Sequence, residues 1–139
     1  MPDFKIHHIS INVSDLIESY DFYLSLGFTE YYRYCSPDES LRIIHLLKEG
    51  FILELFYYLG APACKAAPCE IEHSEFIGVE HFSFLTDNIE EAYQVLNKHI
   101  NCNNGIQAGR TGIRFFFIND PDGNRIEIVE DKRNLHTNQ

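Results

Sequence analysis

The chain has 139 residues, the length of one ordinary domain, and its content of 45% hydrophobic and 23% charged residues is typical of globular rather than disordered proteins. Its net charge of −10 argues against binding to nucleic acid or to an anionic membrane, because phosphate contacts need clustered Lys and Arg. No stretch is apolar enough to span a bilayer and no signal-peptide pattern opens the chain, so we expect a cytoplasmic protein. There the cysteines are expected to be free thiols: Cys35, Cys64, Cys69 and Cys102.

The first half predicts one helix among four strands. Residues 5–13 alternate as a strand, with an apolar face of Ile9, Ile11 and Val13 towards the core. The opposite face, expected to line a wet concavity, carries His8, Ser10 and Asn12. Asp15 with Glu18 predicts a capping box for an amphipathic helix that ends near Gly27. Further strands are predicted at residues 28–35, 41–48 and 51–58.

The second half repeats this order after a connection with Pro and Ala at residues 59–78. Residues 79–86 predict a strand, and Asn88 with Glu91 predicts a second capped helix. The apolar stripe of that helix is predicted to be Ile89, Ala92, Tyr93, Leu96 and Ile100. Strands are expected at residues 106–108, 114–119 and 125–130, with a tight turn at D-P-D-G-N, residues 120–124.

The two halves match when they are offset by 73 residues. The matching pairs are His8 with His81, Ser10 with Ser83, Leu16 with Ile89, Glu18 with Glu91, Tyr20 with Tyr93, Gly50 with Gly123, Leu53 with Ile126, and Glu54 with Glu127. Chance does not readily align so many residues of the same chemistry, so the repeat indicates a duplicated module. The sequence therefore predicts a single α+β domain, residues 1–139, made of two βαβββ modules at about 5–58 and 79–131.

Each module carries one His and one Glu at the same separation. Glu54 and Glu127 lie within otherwise apolar strands, where an ionised carboxylate must be paired, protonated or bound to a metal. A lone His or Glu is more often a surface residue, but a surface Glu has no reason to recur in a repeat. Two His and two Glu suit a divalent Zn, Ni, Co, Mn or Fe better than Ca or Mg. We therefore expect one ion shared by His8, Glu54, His81 and Glu127.

The openings H-H-I-S-I-N-V-S-D and E-H-F-S-F, with I-L-E-L and N-D-P-D-G-N-R-I-E-I-V-E, resemble the vicinal oxygen chelate superfamily, and most of all its glyoxalase I branch. The resemblance runs from about residue 6 to residue 130. It implies an eight-stranded cup around a metal held by the same two His and two Glu. It also implies a small-molecule substrate and a homodimer, in which one cup is built from one chain or from two.

The full His-Glu-His-Glu set is similar to glyoxalase I rather than to the thiol transferases and extradiol dioxygenases of this superfamily, which have no acid at the Glu54 position. The resemblance implies a lyase or isomerase that converts the hemithioacetal of a 2-oxoaldehyde and a thiol through a metal-bound enediolate. Glu127, with Glu54 as its symmetric counterpart, is the implied catalytic proton shuttle. The alternatives are a non-catalytic binding protein of the bleomycin-resistance type and a related epimerase or dioxygenase.

Two positions depart from the pattern of the glutathione-using enzymes. Asn12 and Tyr58 stand where those enzymes have Arg and Asn, and loss of the cation weakens the case for glutathione. Other basic and histidine side chains are expected to be surface charges, structural residues or helix ends: Arg110, Arg114, Arg125, His7, His45 and His99. In the connection, Cys64, Cys69 and His73 do not have a zinc spacing.

Overall fold

The computed structural model describes residue 3 and residues 5–61 and 78–133. These fall into two compact units, whose described parts are residues 5–61 and residues 78–133. The predicted free thiols Cys64 and Cys69, together with His73, lie outside the described residues. Cys35, which is exposed, and Cys102, which is buried, carry free thiols.

The first unit is one four-stranded sheet and one helix. Its elements are β1 (His8–Asn12), α1 (Leu16–Ser25), β2 (Thr29–Cys35), β3 (Leu41–Lys48) and β4 (Phe51–Tyr58). The strand order is β1-β4-β3-β2, with β1 parallel to β4 and the other pairs antiparallel. The buried apolar side chains are Val13, Tyr23, Phe28, Ile44, Leu46, Leu53 and Leu55.

The second unit repeats this topology. Its elements are β5 (Phe82–Leu85), α2 (Ile89–Leu96), β6 (Asn103–Ala108), β7 (Arg114–Asn119) and β8 (Arg125–Glu130). The order is β5-β8-β7-β6, again with the first strand parallel to the last. Its buried apolar side chains are Ile89, Cys102, Phe116, Ile118, Ile126 and Ile128. The predicted α+β fold of two βαβββ modules is therefore confirmed.

The helix starts are the ones that the sequence predicts. The Asp15 carboxylate accepts a hydrogen bond from the Glu18 amide at 3.0 Å, and the Asn88 side chain accepts one from the Glu91 amide at 3.1 Å. Such caps satisfy amide groups that a helix start leaves without an intrahelical partner. In the predicted D-P-D-G-N turn, Gly123 has a φ of 84°, a left-handed value that glycine adopts without steric cost.

Several predicted bounds are wrong. β1 begins at His8, where its ladder with β4 begins, and β5 is shorter than predicted at Phe82–Leu85. β6 is longer, because the chain pairs with β7 from Asn103 through an irregular register. Ile9, expected in the core, is 36% exposed. No helix in the described part of the chain is both long and apolar enough to cross a membrane.

Glu130 ties together three elements of the second unit. One of its carboxylate oxygens accepts a hydrogen bond from the Ile89 amide at 3.2 Å, at the start of α2. The other accepts from Arg114 on β7, at 2.9 and 3.2 Å, and the side chain is only 6% exposed. The hydrogen bonds from Arg114 and from the Ile89 amide hold the pKa of the Glu130 carboxyl below its ordinary value.

We therefore expect Glu130→Gln to lower the unfolding temperature at pH 7 by roughly 4–8 °C, because a buried acceptor of three hydrogen bonds loses its charge. A carboxyl group with a lowered folded pKa stabilises the protein above its unfolded pKa, about 4.3 for Glu, and this contribution is lost as pH falls through the folded value. The difference from the unmodified protein should thus narrow on acidification.

Thermal unfolding followed by circular dichroism between pH 7 and pH 3 checks this prediction. Glu90→Gln is the matched control, because Glu90 pairs with the same Arg114 but its side chain is 55% exposed. Equal effects of the two substitutions would show that Glu130 acts only as another surface charge.

Candidate metal centre

In the first unit, the fold brings His8 and Glu54 together. They lie on the neighbouring strands β1 and β4, where Glu54 stands beside Ser10, two residues after His8. His8 Nε2 is 3.6 Å from Glu54 Oε1. Glu54 is largely withdrawn from solvent, with 14% of its side chain exposed, while His8 keeps 40%.

In the second unit, the fold brings His81 and Glu127 together in the same way. Glu127 on β8 pairs with Ser83 on β5, two residues after His81. His81 Nε2 is 3.7 Å from Glu127 Oε2, and the Ser83 hydroxyl donates a hydrogen bond to Glu127 Oε1 at 2.7 Å. Glu127 is buried, with 9% of its surface exposed. The two pairs thus have the same strand register and nearly the same separation in both halves of the repeat.

The donor chemistry of each pair fits a divalent cation. Separations of 3.6 and 3.7 Å are too long for a hydrogen bond between imidazole and carboxylate. Two ligand atoms that each lie about 2.0–2.2 Å from one ion are at most about 4.4 Å apart, so both separations fall within the reach of a shared cation. An imidazole nitrogen with a carboxylate oxygen is a donor pair for Zn and its transition-metal neighbours.

The ligand-type side chains of the described residues come together as His–Glu pairs, not as larger metal-binding clusters. Among them, no group of three or more His, Cys, Asp or Glu side chains has the arrangement of a metal site. His81 Nδ1 is buried and makes no hydrogen bond to the described residues, although Glu80 Oε1 lies 3.5 Å away. At that distance Glu80 can orient the ring by its charge, which leaves Nε2 directed at Glu127.

The prediction that His45 is a surface or helix-end residue was wrong. His45 lies opposite Glu54 on β3 and its side chain is 24% exposed. Its Nε2 is 2.5 Å from Glu54 Oε2, on the carboxylate oxygen that does not face His8. His99, by contrast, is exposed just after α2, as expected of a helix end.

A sequence signal for His45 existed in the turn that precedes β4. Only Glu49 and Gly50 separate β3 from β4, and both have positive φ, 49° and 79°. Two-residue hairpin loops with two positive φ values fix the register of the flanking strands. Counting back from this turn places His45 opposite Glu54, whereas the repeat offset of 73 places it at Ile118, a buried apolar residue.

Arg125 is also not the ordinary surface charge that the sequence suggested. Its side chain is 14% exposed, forms an ion pair with Glu80, and lies over the Phe117 ring at 3.8 Å. Phe117 in turn packs edge-on against His81, with ring centroids 5.2 Å apart. Burial lowers the pKa of Arg125, and the nearby Glu127 carboxylate acts in the opposite direction. A cation therefore flanks the His81–Glu127 pair.

A separate cavity of about 430 Å³ lies in the first unit between α1 and strands β2 and β3. Its lining includes Tyr20, Arg33, Cys35 and Arg42. Arg42 and His45 are an odd number of residues apart on β3, so their side chains point to opposite faces of the sheet. The cavity is therefore not part of the His8–Glu54 pair.

Comparison with known proteins gives a consistent result. The family model described as the Glyoxalase/Bleomycin resistance protein/Dioxygenase superfamily matches residues 5–128. The uncharacterised protein YaeR of Escherichia coli is 33% identical over 131 residues, which cover 91% of this chain and 95% of YaeR. The uncharacterised protein YwkD of Bacillus subtilis is 32% identical over 131 residues, covering 91% of this chain and 96% of YwkD.

Solved structures share the fold. A glyoxalase family protein from Enterococcus faecalis superposes with a TM-score of 0.75 at 29% identity, covering 91% of this chain and 97% of that protein. The trypanothione-dependent glyoxalase I of Leishmania major superposes with a TM-score of 0.67, covering 94% of this chain and 88% of that enzyme. Its identity of 24% establishes a common fold only.

Proposed function

Because the chain belongs to the glyoxalase/bleomycin resistance protein/dioxygenase superfamily, we propose that it is a metal-dependent lyase of the glyoxalase I type. Members of this superfamily typically bind a divalent metal. The observation that carries the proposal is the repeated His–Glu pair, with separations of 3.6 and 3.7 Å in the two units. Binding of a small molecule without catalysis does not by itself require a His–Glu pair in each unit.

The proposed ligands of one divalent ion are His8, Glu54, His81 and Glu127. When bound, the ion supplies positive charge that stabilises negative charge developing on substrate oxygens. The four side chains add two negative charges and two neutral nitrogens, a set suited to Zn, Ni or Co and also open to Mn or Fe. The two pairs that hold one ion come either from a single chain or from the two chains of a homodimer. Superfamily members often form dimers.

The proposed substrate is the hemithioacetal of a 2-oxoaldehyde and a thiol. In this reaction a proton leaves one carbon and returns to its neighbour, so the protein needs a base that reaches both positions. Glu127 is the proposed base, with Glu54 as its counterpart, because a carboxylate positioned at the proposed metal site can accept a proton from one carbon of the substrate and return it to the next. Arg125 beside Glu127 adds a fixed cation on that side of the site.

The test is metal removal followed by assay with methylglyoxal and several thiols, glutathione among them. We expect treatment with a chelator to lower the isomerisation rate by at least about 100-fold, since stabilisation by a metal contributes several kcal/mol to the transition state. Adding Ni, Co or Zn should restore the rate. Full activity after metal removal would contradict the proposal, and iron content with oxygen consumption would favour a dioxygenase instead.

A second candidate function is binding, without catalysis, of a small amphipathic anion, a ligand with an apolar body and one negative charge. The cavity between α1 and the sheet favours it, because about 430 Å³ is within the usual range for ligand pockets. Its lining joins apolar groups to Arg42, while Arg33 is paired with Glu30 and Asp21 adds a carboxylate. The fluorescent probe anilinonaphthalene sulfonate tests this function. Binding that is unchanged by metal removal and weakened by Arg42→Ala would support it, whereas binding unaffected by this substitution would not.

A further inference from the structure

We propose that His45 is a positioning residue for the metal ligand Glu54, holding one carboxylate oxygen so that only the other is presented to the ion. This inference rests on the proposed metal site. It concerns a residue for which the repeat itself gives no signal, since the residue 73 positions later is Ile118.

In both units, the two oxygens of the Glu carboxylate have different partners. Glu54 directs Oε1 at His8 Nε2, at 3.6 Å, and Oε2 at His45 Nε2, at 2.5 Å. Glu127 directs Oε2 at His81 Nε2, at 3.7 Å, while its Oε1 accepts the Ser83 hydroxyl at 2.7 Å. In each unit, one oxygen faces the imidazole of the pair and the other is held by a hydrogen-bond donor.

The donors come from different strands. Ser83 lies on β5, the parallel neighbour of β8, whereas His45 lies on β3, the antiparallel neighbour of β4. The residue that faces Glu127 from β7, at the place where His45 faces Glu54, is Phe117. Phe117 packs against His81 but has no group that can donate a hydrogen bond to a carboxylate. The same arrangement of the carboxylate is therefore reached by two different routes.

The protonation of the contact follows from the chemistry of the acceptor. An ionised carboxylate accepts hydrogen bonds and donates none, so in the proposed arrangement His45 Nε2 carries the hydrogen and is not a metal ligand. The ring lies near two others, with the Tyr32 ring centroid at 6.1 Å and the stacked His8 ring centroid at 6.4 Å.

The consequence is a pre-oriented ligand. A carboxylate that is free to rotate must lose rotational freedom when it binds an ion, and it can also bind through both oxygens. Residues that hydrogen-bond to metal ligands usually contribute about 10–100-fold to metal affinity. His45 should therefore contribute to binding of the ion without touching it.

The experiment measures the dissociation constant of Zn²⁺ and Ni²⁺ by competition with a chromophoric chelator, which does not depend on catalysis. His45→Phe copies the Phe117 side of the repeat and removes the donor, so we expect affinity to fall about 10–100-fold. His45→Gln keeps a donor at this place and should remain within about fivefold of the unmodified protein. Ser83→Ala, the matched change at Glu127, should weaken binding as His45→Phe does.

Two results would overturn the inference. One is a metal affinity of His45→Phe equal to that of the unmodified protein, when circular dichroism shows that the variant is folded. The other is an equal loss in His45→Gln and His45→Phe, with a changed visible spectrum of the Co²⁺ form, because that would make the imidazole a direct ligand. Glu54→Gln is measured beside them: if it also binds metal normally, the proposed metal site fails, and not only the role of His45.

Discussion

Glu127→Gln should lower kcat for the hemithioacetal of methylglyoxal by about 10²–10⁴-fold, the usual contribution of a positioned general base. The amide has nearly the shape of the carboxylate, so it fills the same buried place and its oxygen still accepts the Ser83 hydroxyl. The change removes the negative charge and the basicity together. We therefore expect a folded protein that has lost the group to which the substrate proton moves.

Kinetics of the metal-loaded variant check this expectation, with the bound metal measured in the same sample. Glu91→Gln, an exposed Glu in the first turn of α2, is the control for loss of one negative charge. Glu54→Gln shows whether Glu54, the repeat counterpart of Glu127, also takes part in proton transfer. Glu54 differs from Glu127 in its hydrogen bond to His45. A kcat within threefold of the unmodified protein, with metal still bound, would remove Glu127 from the mechanism.

The sequence predicted the parts of the fold that depend on local patterns. Strands β3, β4, β7 and β8 have the predicted bounds, and both helix starts follow from Asp15 and Asn88, whose side chains cap nearby amides. Strand ends that depend on pairing were less predictable. β1 begins at His8, where its pairing with β4 begins, so alternation alone placed its start too early.

The candidate site was predictable where the repeat preserved it. An offset of 73 aligns both His–Glu pairs, and the fold brings each pair within 3.7 Å. The repeat did not predict His45, because the contact of His45 with Glu54 depends on the register of a hairpin. The two hairpins differ, since two residues join β3 to β4 but five join β7 to β8. Arg125 was not predicted either, because alternation gives the face of a side chain but not its packing against Phe117.

The double variant Glu54→Ala with His81→Ala should bind no metal at concentrations that saturate the unmodified protein. It takes one ligand from each pair, and a site with two of four ligands left loses both charge and geometry. Each single change alone should weaken binding by at least about 100-fold, more than loss of a neighbouring residue does. Equilibrium dialysis with elemental analysis measures affinity and stoichiometry together.

Stoichiometry separates a shared ion from two independent ones. A shared ion predicts one metal per chain, and either single substitution then removes nearly all of it. If each pair held its own ion, the protein would bind two per chain and each single variant would keep one. His99→Ala, which removes an exposed imidazole after α2, controls for nonspecific binding to histidine. Metal uptake by the double variant equal to that of the unmodified protein would exclude both arrangements, because each requires Glu54 or His81 as a ligand.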